Sequence, residues 1–115
     1  MPDSNPTPSV EYRDVPGFPG YRVGDDGSVW SRHRKGHVGI FDGWIRLRPV
    51  TVSRGYTAVH LRLDGGRATT SKIHRLVLET FVGPCPPGME ACHDPDPTPS
   101  NNALSNLRWG THREN

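Results

Sequence analysis

Only one stretch of this chain has the spacing of a long helix, SKIHRLVLETFVG at residues 71–83. Ile73, Leu76, Val77 and Phe81 recur at helical spacing, Ser71 stands where a cap is wanted, and Gly83 and Pro84 end the run. With one central helix to pack against, the rest of the fold must come from strands and loops, and the fold class is α+β. Thirteen Gly and twelve Pro in 115 residues agree with a loop-rich chain, while three Trp, three Tyr and three Phe supply a few bulky anchors for a small core. That length gives one domain or two very small modules and excludes a large enzyme fold.

Residues 1–10 are mostly Pro, Ser, Asn and Thr with little to bury, so a disordered tail is expected there. In PGFPGYRVGDDGSVWSR the pair Asp26-Gly27 separates two short alternating runs, the signal of a hairpin with a type I′ turn. HRKGHVGIFDG reads as an exposed loop rich in base and Gly, and WIRLRP as a further short strand. GYTAVHLRLDGGRATTSKI puts Val59, Leu61 and Leu63 on one face and Ala58, His60 and Arg62 on the other, with a turn at Asp64-Gly65. Small antiparallel β hairpins therefore fill the N-terminal part. Beyond the helix, PCPPGMEACH is a turn and short strand, DPDPTPSNNALSN a long irregular loop and LRW a second strand. Thr111 and Glu114 have the spacing of a capping box opening a last helix.

Between Arg32 and Arg75 stand ten Arg or Lys against Asp42 and Asp64, a basic middle that suits a nucleic-acid footprint. Solvated strand faces carry similar charge. Cys85 and Cys92 give neither a disulfide framework nor a four-ligand zinc site, even with His93 beside them, and reduced thiols are expected. No apolar run has the length to span a membrane, and MPDSNPTPS lacks the features of a secretory signal, so a cytoplasmic location is expected.

From Met89 onward the order is strand, His, loop with Asn, strand, helix start and final Asn. With its elements GMEACH, NNALSNLRWGT and EN, this segment resembles the HNH endonucleases of phage and homing type, whose module is a ββα-metal finger. VPGFPGYRVGDDGSVWS with the basic hairpin resembles the NUMOD4 module that often precedes them. The resemblance implies a NUMOD4-like DNA-binding β module over residues 11–70 and an HNH nuclease module over residues 71–115. It implies a metal-dependent DNA endonuclease that nicks duplex DNA as a monomer or weak dimer, with no small-molecule substrate.

By the same resemblance His93 is the general base on the water that attacks the phosphodiester, a task suited to an imidazole because its pKa lies near neutrality. Asn102 or Asn106 matches the middle Asn that braces the loop. Asn115 matches a ligand of one divalent cation, Mg²⁺ or Mn²⁺, and Cys92 and Asp94, on either side of His93, are the other candidate metal positions. Many relatives place Asp where Cys92 stands, and a thiol suits a hard cation poorly, so Cys92 is expected to be a small, partly buried residue and Asn115, Asp94 or Asp96, water and DNA phosphate to hold the ion. The residues expected against duplex DNA are Arg32, Arg34, Lys35, Arg54, Arg62, Lys72, Arg108 and Arg113. His74 and Arg75 stand either against DNA or on a solvated helix face. Trp109 reads as a core anchor between strand and helix, and His112 as a residue facing solvent or phosphate. A reading from a different class is a DNA-binding module that keeps the nuclease scaffold without useful catalysis, on the ground of Cys92 and of the few residues after Thr111.

Overall fold

The computed structural model describes residues 9–63 and 67–111. Its elements are β1 (Tyr12–Asp14), β2 (Tyr21–Gly24), β3 (Val29–Ser31), β4 (Ile45–Arg46), β5 (Val50–Thr51), β6 (Thr57–Arg62), β7 (Ala68–Lys72), α1 (Ile73–Phe81), β8 (Met89–His93) and β9 (Leu107–Thr111). Among the described residues no helix is long and apolar enough to cross a membrane. The strands make three antiparallel sheets, in the orders β1-β2-β3-β4, β5-β6-β7 and β8-β9. Most of the tail expected at residues 1–10, the turn at Asp64-Gly65, and the helix start with its His112, Arg113 and Asn115 lie outside the described residues.

The hairpin at Asp26-Gly27 is present, pairing Val23 with Val29. Its turn corrects the type I′ expectation. Gly27 N donates to Gly24 O at 2.9 Å, and only Gly27 takes a positive φ, of 87°. Asp26 instead uses its carboxylate to accept from the Ser28 amide at 3.0 Å, which favours a three-residue loop closed by a left-handed glycine. The β6–β7 hairpin buries Val59 and Leu61 as expected, but Ala58 on the opposite phase is also fully buried.

The helix is where the periodicity puts it, with Ile73, Leu76 and Val77 buried. Ser71 does not cap it. Ser71 belongs to β7, paired with Val59, so the strand runs directly into the helix and Lys72 takes the capping position without a side-chain bond. At the other end the amides of Val82 and Gly83 both donate to Leu78 O, at 2.8 and 3.0 Å, and Gly83 has φ 133°. This closes the carbonyl end that a helix otherwise leaves open.

One core joins everything. Val15, Tyr21, Val23 and Val29 meet Val59 and Leu61, the helix residues Ile73, Leu76, Val77 and Leu78, and Ala91 and Leu107 of the last sheet. Burial of each large aliphatic contributes roughly 1.5–3 kcal/mol. The Tyr21 hydroxyl ties the first two sheets together by accepting from the Arg62 amide at 2.8 Å. This core draws on both sides of residue 70, and β7 itself crosses that point.

Candidate active site

Strand alternation decides which way the end of β8 points. Ala91 and His93 share a face with their cross-strand partners Trp109 and Leu107, the face that packs on α1, while Cys92 shares the other face with Arg108. At the strand end, His93 Nε2 lies 2.8 Å from Asn102 Oδ1, and Asn102 Nδ2 donates to Thr57 Oγ1 at 2.8 Å. A carbonyl oxygen only accepts, so Nε2 carries the proton and the neutral ring keeps its lone pair on Nδ1. The ring plane is held from the side as well. His74 stacks on His93 with centroids 4.9 Å apart, Tyr56 stacks on His74 at 4.8 Å, and Tyr56 stands 5.9 Å from His93. Burial drives the His74 pKa down to about 4, helped by His93, Lys72 and Arg75, so His74 is a neutral ring at physiological pH.

The loop from Asp94 to Asn106 is held by amides. Asn106 is buried; its Oδ1 accepts from the Asp96 amide at 2.8 Å, and its Nδ2 donates to Asp96 O at 2.8 Å and Asn101 O at 3.2 Å. Asp96 accepts from Asn101 Nδ2, Thr98 Oγ1 and the Thr98 amide, and these bonds, Asn101 first, hold its carboxyl below the usual carboxylate range. The N-terminal hairpin supports the same loop. Asp25 O accepts from the Leu104 amide at 2.8 Å, and a Cβ on Gly27 would meet Asn102 O at 2.8 Å, so only glycine allows this approach.

Residues 71–115 match the family described as HNH endonuclease. Along 92% of its length the chain is 32% identical to the DNA endonuclease I-HmuI of Bacillus phage SP01, over 107 residues. A solved structure of the HNH homing endonuclease I-HmuI, showing DNA binding and cleavage, superposes on 90% of the chain with TM-score 0.71 and 30% identity. The chain spans about half the length of these relatives, 55% of the one and 54% of the other.

Within the matched segment, His93, Asn102 and His74 come together, and Asn106 stands behind them as a loop brace. Asp94 and Cys92 do not join them. Asp94 Oδ2 accepts from Arg108 Nε at 3.1 Å, and Cys92 is buried with its sulfur 3.5 Å from Glu90 O. A Cβ on Gly110 would meet that sulfur at 3.0 Å and collide with the Arg108 guanidinium. No disulfide joins Cys85 and Cys92. Among the described residues no three His, Cys, Asp or Glu groups are placed to hold a metal ion, and the described donors do not by themselves fit one.

Of the residues expected against DNA, Lys72 and Arg75 are exposed beside the site, Lys72 with its ammonium 5.0 Å over the Tyr56 ring and Arg75 paired with Glu79. Arg54 is exposed in the turn before Tyr56, at φ 62°. Arg32, Arg34 and Arg62 hold the 32–44 loop: Arg32 donates to Phe41 O, Arg34 to Asp42 O and Gly43 O, and Arg62 to His37 O and Arg34 O, at 2.7–3.1 Å. Lys35 is exposed at the tip of that loop. Trp109 packs on the core with Nε1 donating to Gly83 O at 3.2 Å. Tyr56 and Thr57 were not singled out by sequence reasoning. A signal for Thr57 exists, since it is polar yet in phase with buried Val59 and Leu61; His74 likewise falls in phase with Val77, Leu78 and Phe81.

Proposed function

We propose that this chain is an HNH-type DNA endonuclease in which His93 is the general base for phosphodiester hydrolysis. The observation that carries this reading is the hydrogen-bonded chain that runs from His93 through Asn102 to Thr57. Asn102 Oδ1 accepts the hydrogen bond from Nε2–H and Thr57 orients Asn102, which leaves Nδ1 as the acceptor for a proton from water. As that water's oxygen bonds to phosphorus, its proton passes to Nδ1 and the bond from phosphorus to the leaving sugar oxygen breaks. The neutral rings of His74 and Tyr56 keep the imidazole in plane, so the base does not have to be ordered for each turnover.

Support also comes from the similarity to I-HmuI, a DNA endonuclease of Bacillus phage SP01. We propose that residues 71–115 act as the nuclease module and residues 11–70 as a NUMOD4-like DNA-binding module, that the chain nicks duplex DNA as a monomer, and that one Mg²⁺ or Mn²⁺ takes part. Supercoiled plasmid tests this. Relaxed circles formed with Mg²⁺ or Mn²⁺, and not with chelator, are the expected products; linear product without an open-circle intermediate would overturn nicking, and no product would overturn the enzyme. A second reading, a DNA-binding module with impaired catalysis, is favoured by burial of Cys92 and the engagement of Asp94 by Arg108. It predicts DNA binding with no cleavage at any metal concentration.

A further inference from the structure

The outer face of the first sheet carries a basic group that is not among the individual residues named above as DNA contacts. Tyr21 and Val23 on β2 point into the core, so Arg22 between them points the other way. Its guanidinium carbon lies 4.2 Å from the Tyr12 ring centroid and 4.4 Å from that of Trp44, with Trp30 at 5.8 Å. Arg32 continues the alternation, 5.4 Å from Trp44. Arg22 Nε is buried without a hydrogen-bond partner, and its cross-strand neighbour Asp14 forms no ion pair with it. The contrast with Arg32, Arg34 and Arg62 is plain, since those three donate to loop carbonyls. Beyond Trp30 in the same cross-strand row stands Arg46, exposed.

A guanidinium gripped between two rings keeps its charge, and its plane is fixed before any ligand arrives. Little side-chain freedom remains to be lost, and the ligand that matches a flat fork of N–H donors is an oxyanion taken by two parallel hydrogen bonds. We infer that the outer face of the β1–β4 sheet is a contact surface for the phosphates of duplex DNA, with Arg22 as its fixed donor, Tyr12 and Trp44 as its clamp, and Arg46 beside it. The inference rests on the reading of the chain as a DNA-binding nuclease. It adds, beyond the residues around His93, a surface on which binding strength depends.

The test is equilibrium binding of the full chain to a fluorescent random-sequence duplex across a KCl series. Loss of one phosphate contact lowers the slope of log K against log salt by about 0.9. Arg22→Gln is expected to show that fall in slope and about tenfold weaker binding at low salt; Arg22→Lys is expected to keep the slope with a few-fold loss. Tyr12→Leu and Trp44→Leu, which leave the charge and remove the clamp, are expected to behave like Arg22→Lys. Arg46→Gln changes an exposed residue, so its own fall in slope carries the test if Arg22→Gln does not fold. Wild-type slope and affinity in folded Arg22→Gln, or in Arg46→Gln where Arg22→Gln is unfolded, would overturn the inference and leave the nuclease reading standing. A wild-type chain that does not bind the duplex at any salt would overturn both.

Discussion

Two irregular loops of this molecule, 32–44 and 94–106, are held by different chemistry. The first is fastened by the guanidinium groups of Arg32, Arg34 and Arg62, which reach loop carbonyls at the surface while Val38, Ile40 and Phe41 stay exposed. The second is fastened by Asn102 and Asn106, both buried, whose amides donate and accept at once. A charged donor in contact with water gains little from each bond, because water offers a similar one. A buried amide has no such alternative, so breaking its bonds leaves polar groups unsatisfied. The loop that carries the histidine's partner is therefore rigid where the basic loop is adjustable, as the proposed general base would require.

The sharpest way to break the comparison is Asn106→Leu. It leaves the Asp96 amide, Asp96 O and Asn101 O without their partner, at a cost of roughly 1 kcal/mol or more each. Urea unfolding is expected to show about 3 kcal/mol of lost stability, and a loss below about 1 kcal/mol would mean that the amide does not hold the loop.

Next comes acid. The folded pKa of His74, about 4, lies below the ordinary 6.5, so between these values the unfolded chain binds the extra proton. Stability is full above about pH 6.5, falls as the pH drops towards 4, and loses about 3 kcal/mol from this group. His74→Phe keeps a stacked ring and removes the titration; its unfolding free energy is expected to fall less over that range, and the same pH slope as wild type would exclude His74 as the cause.

Asn102→Ala has a smaller effect on stability and a clear one on the base. Nitrogen-15 correlation spectra are expected to show His93 protonated at Nε2 in the wild type and as a mixture of tautomers in the variant, with cleavage slower by about 10- to 100-fold. Arg34→Gln, in the basic loop, is the smallest change. It is expected to cost less than about 1 kcal/mol and to speed amide exchange only within residues 32–44.

Much of this was legible in the residues. The helix followed from Ile73, Leu76, Val77 and Phe81, and the last hairpin from the run around His93 and Leu107, because a small core leaves few choices for apolar residues in phase. The cap at Ser71 was misplaced because a strand that feeds straight into a helix overrides the local preference for a hydroxyl. His93 and Asn102 stood out in their segment, yet their supports did not. Tyr56 and Thr57 lie far from them in sequence, and the contact that places Gly27 under Asn102 is tertiary. Nor does a count of charges separate an arginine that holds a loop, such as Arg34, from one that stacks on rings, such as Arg22.

The central claim is that Nδ1 of His93 takes the proton from the attacking water. Single-turnover cleavage of a labelled duplex in saturating Mg²⁺ or Mn²⁺ tests it, with wild type and His93→Ala compared after circular dichroism has shown both folded. The account predicts that His93→Ala binds the duplex as wild type does and cleaves it roughly 10²- to 10⁴-fold more slowly. Cleavage by folded His93→Ala at the wild-type rate would contradict it.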